Sequence, residues 1–299
     1  MAAPAAAALA LAVAAGAVLS AQSKPKRLYV SVVDKKGVPV ATVAPADIVV
    51  REDNVAREVL KVEPATEPMR IALLVDNSQA ATSSIQFLRE ALSPFAARMT
   101  KAGHSIALIT VGDRPTLEVD ATTDLTRLKK NGIDRLFAKP GSGIYLLDAI
   151  IDAAKGFKKN ETPRPVMVAV ITEGTEFSNA SAENVIDAIH GSGASFYALV
   201  LTEGERASLN SDEVRQRGIV LDRGTSENGG RRDIVISHMA LKDRLDAVAS
   251  ELLGIVAVTY ASPDRLVPPE KITVTAARDE LVARGVPVRE IKPVPVPER

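Results

Sequence analysis

The 299-residue chain has no cysteine and no tryptophan, and aromatic residues make up only 3% of it. The missing thiols exclude disulfides, cysteine-based zinc sites and thiol nucleophiles. The shortage of aromatics removes stacking platforms for bases or sugars. Neither sign of charge is in excess, since 37 Lys+Arg balance 37 Asp+Glu. No bulk field therefore draws the protein to nucleic acid or to an anionic membrane. The apolar stretch from about Ala5 to Leu19 is short for a bilayer span. Small residues at Val18, Ser20 and Ala21 suit a signal-peptidase site, so residues 1–22 read as a signal peptide cleaved near Ser20–Gln22. No Lys or Arg precedes that apolar core, and an uncleaved anchor is the alternative. The expectation is an exported protein in the periplasm, at the cell surface or outside, with no membrane span after cleavage. Without disulfides it must be held by its core alone, and the mature length is sufficient for one.

After the leader, residues 26–66 carry β patterns. In "RLYVSVVD", Leu28, Val30 and Val32 fall on one side; "KKG" at 35–37 signals a turn, and "EDN" a hairpin. From residue 69 to 255 the pattern changes. "IALLVD", "HSIALITVGD", "PVMVAVITEG" and "ASFYALVLTE" are near-continuous apolar runs, as expected of strands buried on both faces. Helical spacing lies between them. Ile85, Leu88, Leu92, Phe95 and Met99 share one face, with Pro94 predicted to kink or split that helix. Leu147, Ile150, Ile151 and Ala154 mark a second helix, Val185, Ile186 and Ile189 a third, and Leu241, Leu245, Val248 and Leu252 a last one. This alternation predicts an α/β fold with a doubly wound, mainly parallel, Rossmann-like sheet. The polar segment 204–233 reads as a surface excursion with a short helix near 206–217. Residues 256–292 alternate again, and 293–299 form a Pro-rich tail. Isolated hairpins are marginal, so the two β flanks are expected to pair as a small antiparallel, Ig-like sandwich beside the α/β domain.

Ligands of open α/β sheets bind beyond the carboxyl ends of the strands. Asp76 and Glu173 fall there, with Ser78 two residues past Asp76. A cation such as Mg²⁺ wants about six oxygens in an octahedral array, several of them waters. The order of elements over about residues 70–255, with "DNSQA", "GSGIYLLDA" and "ITEGTEFS" at the loops, resembles the von Willebrand factor type A domain. The flanks "VSVVDKKGVPVATVAPADIVVREDN" and "AVASELLGIVAVTYASP" resemble the bacterial VWFA-related group of secreted proteins. The resemblance implies a metal-ion-dependent adhesion site at these loops, and this chain departs from it. Ala80 stands where the second Ser of D-x-S-x-S belongs, Ile144 where the Thr belongs, and Glu173 where an Asp belongs. The implied site is degenerate: Asp76, Ser78 and Glu173 are what remains, for a weak or lost Mg²⁺ or Mn²⁺, with Ser142 or Thr175 as possible helpers. The other reading has Asp76 and Ser78 capping the next turn or helix, with Glu173 solvated.

The expectation is a non-catalytic protein-interaction module that works without metal or other cofactor. Its partner is another protein, and not nucleic acid. Asn77, Ser78, Gln79, Ser142, Thr175 and Ser178 are the candidate contact residues. Metal-dependent adhesion through the residual site is the alternative. An enzyme, a hydrolase or a nucleotide user, is the third reading. "GSGIYLLD" lacks the Lys-Ser/Thr of a phosphate loop, and no G-x-S-x-G elbow or H-E-x-x-H occurs. His104, His190 and His238 are far apart in sequence, so a hydrolase requires a Ser and a His to meet by folding.

Overall fold

The computed structural model describes residues 23–202, 211–264 and 266–288. The signal peptide read over 1–22 and the tail read over 293–299 lie outside the described residues. No helix among the described residues is long and apolar enough to cross a membrane.

The first β piece comprises β1 (Ser23–Asp34), β2 (Ile48–Glu52), β3 (Val55–Arg57) and β4 (Val59–Pro64). Asp53 and Asn54 both take positive φ between β2 and β3, the geometry of a type I′ hairpin that the sequence "EDN" predicts. The α/β part follows with β5 (Arg70–Val75), α1 (Ile85–Lys101), β6 (Ser105–Thr110), β7 (Thr116–Thr122), α2 (Leu125–Asn131) and α3 (Leu146–Lys159). It continues with β8 (Pro165–Thr172), α4 (Ala182–Ser192), β9 (Ser195–Leu201), α5 (Asp212–Ile219), α6 (Thr225–Glu227), β10 (Arg232–Val235) and α7 (Leu241–Leu253). The chain returns to β11 (Val256–Pro263), β12 (Ile272–Ala276) and β13 (Leu281–Pro287).

The central sheet has six strands in the order β10-β9-β8-β5-β6-β7, parallel except for β7. The apolar runs sit in its middle, where helices cover both faces. Side chains of α1, α2 and α7 pack on one face, and those of α3 and α4 on the other. The β5–α1–β6 connection winds one way and the path to β8 the other. The strand order therefore reverses between β5 and β8, the switch point at whose carboxyl edge open α/β sheets bind ligands.

The two flanks do pair. β1 lies between β11 and β13, β4 adds to β11, and β2 takes β12 and β3 as neighbours. Leu28, Val30 and Val32 fill the space between these two sheets. On the opposite face of the first sheet, Tyr29, Ala257 and Val286 join the α/β core beside α7. Glu251 of α7 seals the junction: its buried Oε1 accepts from Ser31 Oγ, Tyr197 Oη and Arg284 Nη2. Arg231 Nε lies 3.3 Å from its Oε2.

Two expectations need correction, and one strand was not foreseen. Pro94 does not split α1, which stays one 17-residue helix because Leu88, Leu92, Phe95 and Met99 hold it to the sheet on both sides of the proline. Segment 204–233 is not a surface excursion throughout. Residues 203–210 lie outside the described residues; the described helix, Asp212–Ile219, overlaps the predicted one and runs through a π-helical stretch, Val220–Gly224, into α6, with Val220, Leu221 and Thr225 buried. β7 carries no clear apolar alternation, and the sequence pattern passed over it. A turn at Asn228–Gly229 leads from α6 toward β10. A Cβ on Gly230 would sit 1.8 Å from the Phe196 carbonyl oxygen, so only glycine lets this turn reach β9.

Candidate functional site at the carboxyl edge of the sheet

Asp76 follows the last residue of β5 and is fully buried. Its Oδ1 accepts from the backbone N–H of Ser78 at 2.8 Å. Its Oδ2 accepts two bonds, from the Thr172 backbone N–H at 3.0 Å and from the Thr172 hydroxyl. The carboxylate thus ties the end of β5 to the end of β8 and shapes the turn after itself, as in the capping reading. Ser78 stands at the start of a one-turn 3₁₀ helix over Gln79–Ala81, but its hydroxyl makes no capping bond. That Oγ is buried without a partner.

Two of the residues that depart from the ion-site pattern converge on Gly174. A Cβ on Gly174 would lie 2.7 Å from the Ala80 Cβ and 3.1 Å from Ile144 Cδ1, so these two side chains leave room only for glycine there, with Ala80 itself exposed. Ile144 is completely buried. Its N–H donates to the Thr175 carbonyl and its carbonyl accepts from the Phe177 N–H, both at 2.7 Å. The loop before α3 is thereby zipped onto the loop after β8.

The remaining candidate residues divide by exposure. Asn77 is buried; its Oδ1 accepts from the Gly112 N–H at 2.8 Å and its carbonyl from Lys139 N–H at 2.8 Å. Ser178 is buried too, and its Oγ accepts from Asp148 N–H in the first turn of α3. These two side chains hold the loops together and present nothing to a partner. Gln79 is exposed, with its amide oxygen accepting from Gly141 N–H, whereas Ser142 is half-buried and donates to the Lys139 carbonyl. Thr175 and Glu173 are half-buried. Two aromatics that the sequence reading did not single out stand out on this lip: Phe137 is 65% exposed and Phe177 49%. Arg89 stacks over Phe137, and Tyr145 lies against Phe177.

A charged pair lies beneath the β8 loop. Arg217, on α5, is 5% exposed. Its Nη1 donates to the Gly174 carbonyl at 2.7 Å and lies 3.7 Å from Glu176 Oε2. Glu176 is itself buried, and its Oε1 accepts from Ser178 N–H. Burial pushes the Glu176 carboxyl up, opposed by bonds from Ser178 and by the Arg217 charge. Burial likewise pushes Arg217 down, opposed by Glu176, Asp76 and Glu173 in that order. Nothing in the polar string "SDEVRQRG" marked this arginine as buried.

These residues do not fit a hydrated divalent cation. The Ser78 hydroxyl is a free oxygen donor, but Asp76 Oδ2 is saturated, and Ala80 and Ile144 offer carbon where the ion needs oxygen or water. Among the described residues no group of three His, Cys, Asp or Glu side chains is placed to hold a metal. The condition for a hydrolase is met in part, because Ser84 Oγ and His238 Nε2 lie 3.0 Å apart. Ser84 has no solvent exposure, so a substrate carbonyl cannot reach its hydroxyl in this conformation.

No protein-family model matches the chain, and no curated protein matches it. Solved structures do. Proximal thread matrix protein 1 from the mussel byssus aligns at TM-score 0.51 and 15% identity, over 68% of this chain and 51% of that one. A von Willebrand factor type A protein from Catenulispora acidiphila aligns at TM-score 0.48 and 10% identity, over 89% of this chain and 74% of that one. The vWF domain of the type V pilus tip protein Mfa5 from Porphyromonas gingivalis aligns at TM-score 0.48 and 10% identity, over 63% and 96%. The chain spans about half the length of the byssus protein, and at these identities the likeness is one of fold.

Proposed function

We propose that this chain, whose α/β part has the von Willebrand factor type A fold, is an exported, non-catalytic module that binds another protein through the lip at the sheet's carboxyl edge, without a divalent cation. The observation that carries the reading is that Ile144, an apolar side chain, is fully buried where the resemblance expects a hydroxyl, with Asp76 satisfied by internal donors. A partner would then meet a preformed surface of Gln79, Phe137, Thr175 and Phe177. Exposed aromatics of this kind supply large contact area at low entropic cost. The competing reading keeps a weak ion at Asp76, Ser78 and Glu173, and the unpartnered Ser78 hydroxyl is the observation in its favour.

The test is cross-linking in the native cell envelope, followed by recapture of the cross-linked protein with the purified full chain. Recapture in EDTA at the level seen with Mg²⁺ is expected. A double change, Phe137→Ser with Phe177→Ser, should abolish recapture while leaving the melting temperature unchanged. Loss of recapture in EDTA would favour the ion. Full recapture by the double variant would move the interface elsewhere.

A further inference from the structure

Removing a cation from an acidic lip leaves negative charge that must be balanced in some other way. Asp76 is balanced by three donors, and half-buried Glu173 by water. Glu176 is met only in part: its Oε1 accepts from Ser178 N–H, but the residue is buried and its Oε2 accepts no hydrogen bond. The nearest positive group is Arg217 at 3.7 Å, brought from α5 immediately before the chain enters the π-helical stretch Val220–Gly224. π-helical turns are rare and cluster where a helix must place a particular side chain.

We infer that the Arg217 guanidinium is the resident cation of this site, clamping the β8 loop from within by holding the Gly174 carbonyl and the Glu176 carboxylate together. The inference rests on the metal-independent reading above and gives it a mechanism. The clamp grips the loop on both sides of Thr175, whose carbonyl receives the Ile144 N–H. The grip therefore extends through the Thr175–Ile144 bond to the loop before α3, and so to the whole lip. A planar guanidinium suits this task, because one group can serve a carbonyl and a carboxylate in fixed geometry. A buried pair of this kind roughly breaks even on stability, so its contribution is the position of the loop, while removing one partner leaves an uncompensated charge.

The experiment uses the full chain and three variants: Arg217→Met, Glu176→Gln and the double variant. Melting temperature is measured with millimolar Mg²⁺ or EDTA, and hydrogen exchange is followed in peptides spanning 172–180. Wild type should melt at the same temperature in both buffers. Arg217→Met should melt about 10 °C lower, with exchange in the loop faster by roughly tenfold or more. The double variant should recover most of that loss, because the orphaned charge is gone. Should Arg217→Met fail to fold, Glu176→Gln, expected to fold with faster exchange confined to 172–180, carries the test. A double variant no better than Arg217→Met would reduce Arg217 to packing and overturn the inference. So would a Glu176→Gln loop that exchanges as slowly as wild type. Either result leaves the metal-independent reading standing, whereas Mg²⁺ stabilisation of the wild type would defeat that reading itself.

Discussion

Ile144→Thr is the sharpest perturbation of the lip, because it returns a hydroxyl to the position where the resemblance expects one. Ile144 is fully buried, crowds the space where a side chain on Gly174 would go, and belongs to the core shared by α3 and α4. Shortening it to the size of Val costs about 0.5–1.5 kcal/mol. Placing a hydroxyl in that apolar core costs a further 1–3 kcal/mol or so. The sum is about 2–4 kcal/mol, or a melting temperature lower by roughly 10 °C for a domain of this size. Urea unfolding in EDTA would read the loss as a lower midpoint at unchanged slope. Calorimetry with Mg²⁺ and Mn²⁺ should remain flat for both wild type and variant, since Ala80 still supplies no oxygen and Asp76 Oδ2 is still occupied by Thr172. A variant within about 0.5 kcal/mol of wild type in EDTA, or one that regains stability with Mg²⁺, would refute the argument that this side chain excludes the ion. A wild-type binding heat that vanishes in Asp76→Ala would refute it more directly.

Two further outcomes follow from the buried carboxylates. Glu251→Ala should cost about 3–5 kcal/mol, since it strips Arg284, Ser31 and Tyr197 of their shared acceptor, and Arg231 of its ion-pair partner, at the junction of sandwich and α/β core; a urea-derived loss below about 1 kcal/mol would contradict this. Glu52, buried in the sandwich, titrates below its ordinary 4.5: burial alone would raise it, but bonds from Ser262 and Tyr260 and the Lys26 charge overcome that. A depressed folded value means that its contribution is complete above about pH 4.5 and is lost as pH falls below it. Glu52→Gln should therefore flatten the acid limb of the urea midpoint between pH 5 and 3, and an unchanged acid limb would count against the assignment.

The fold was legible wherever a single residue type answers to a single environment. Runs such as "IALLV" and "VMVAVIT" have no polar face, so they can only be central strands between two helical layers, and they are. Asp53-Asn54 tolerates positive φ at both positions, so the hairpin could be read directly. Pro94 misled because a proline's local cost was weighed without the four apolar anchors around it. The charged hubs were invisible for a different reason. Glu251 and Ser31 are 220 residues apart, and Arg217 and Gly174 are 43 apart; no spacing rule links them. A buried arginine reads as a surface arginine until its partners are in place.

The same limit explains how the site was read and where that reading stopped. Position by position, Ala80 and Ile144 each look like a lost ligand, and loss predicts a damaged, open site. In the fold both crowd the same glycine, Gly174, with Ile144 fully buried and Ala80 still exposed. Three carboxylates, Glu176, Asp76 and Glu173, act on Arg217 from these loops. Each is met differently: Asp76 by backbone and hydroxyl donors, Glu173 by partial exposure, and Glu176 by Arg217. Reverting Ala80 or Ile144 alone would supply an oxygen but leave Thr172 on Asp76 and Arg217 beneath the loop. A divalent ion would then have to displace a hydrogen-bond network and sit near a fixed positive charge. On the proposed metal-independent reading, ion binding would therefore require several coordinated changes.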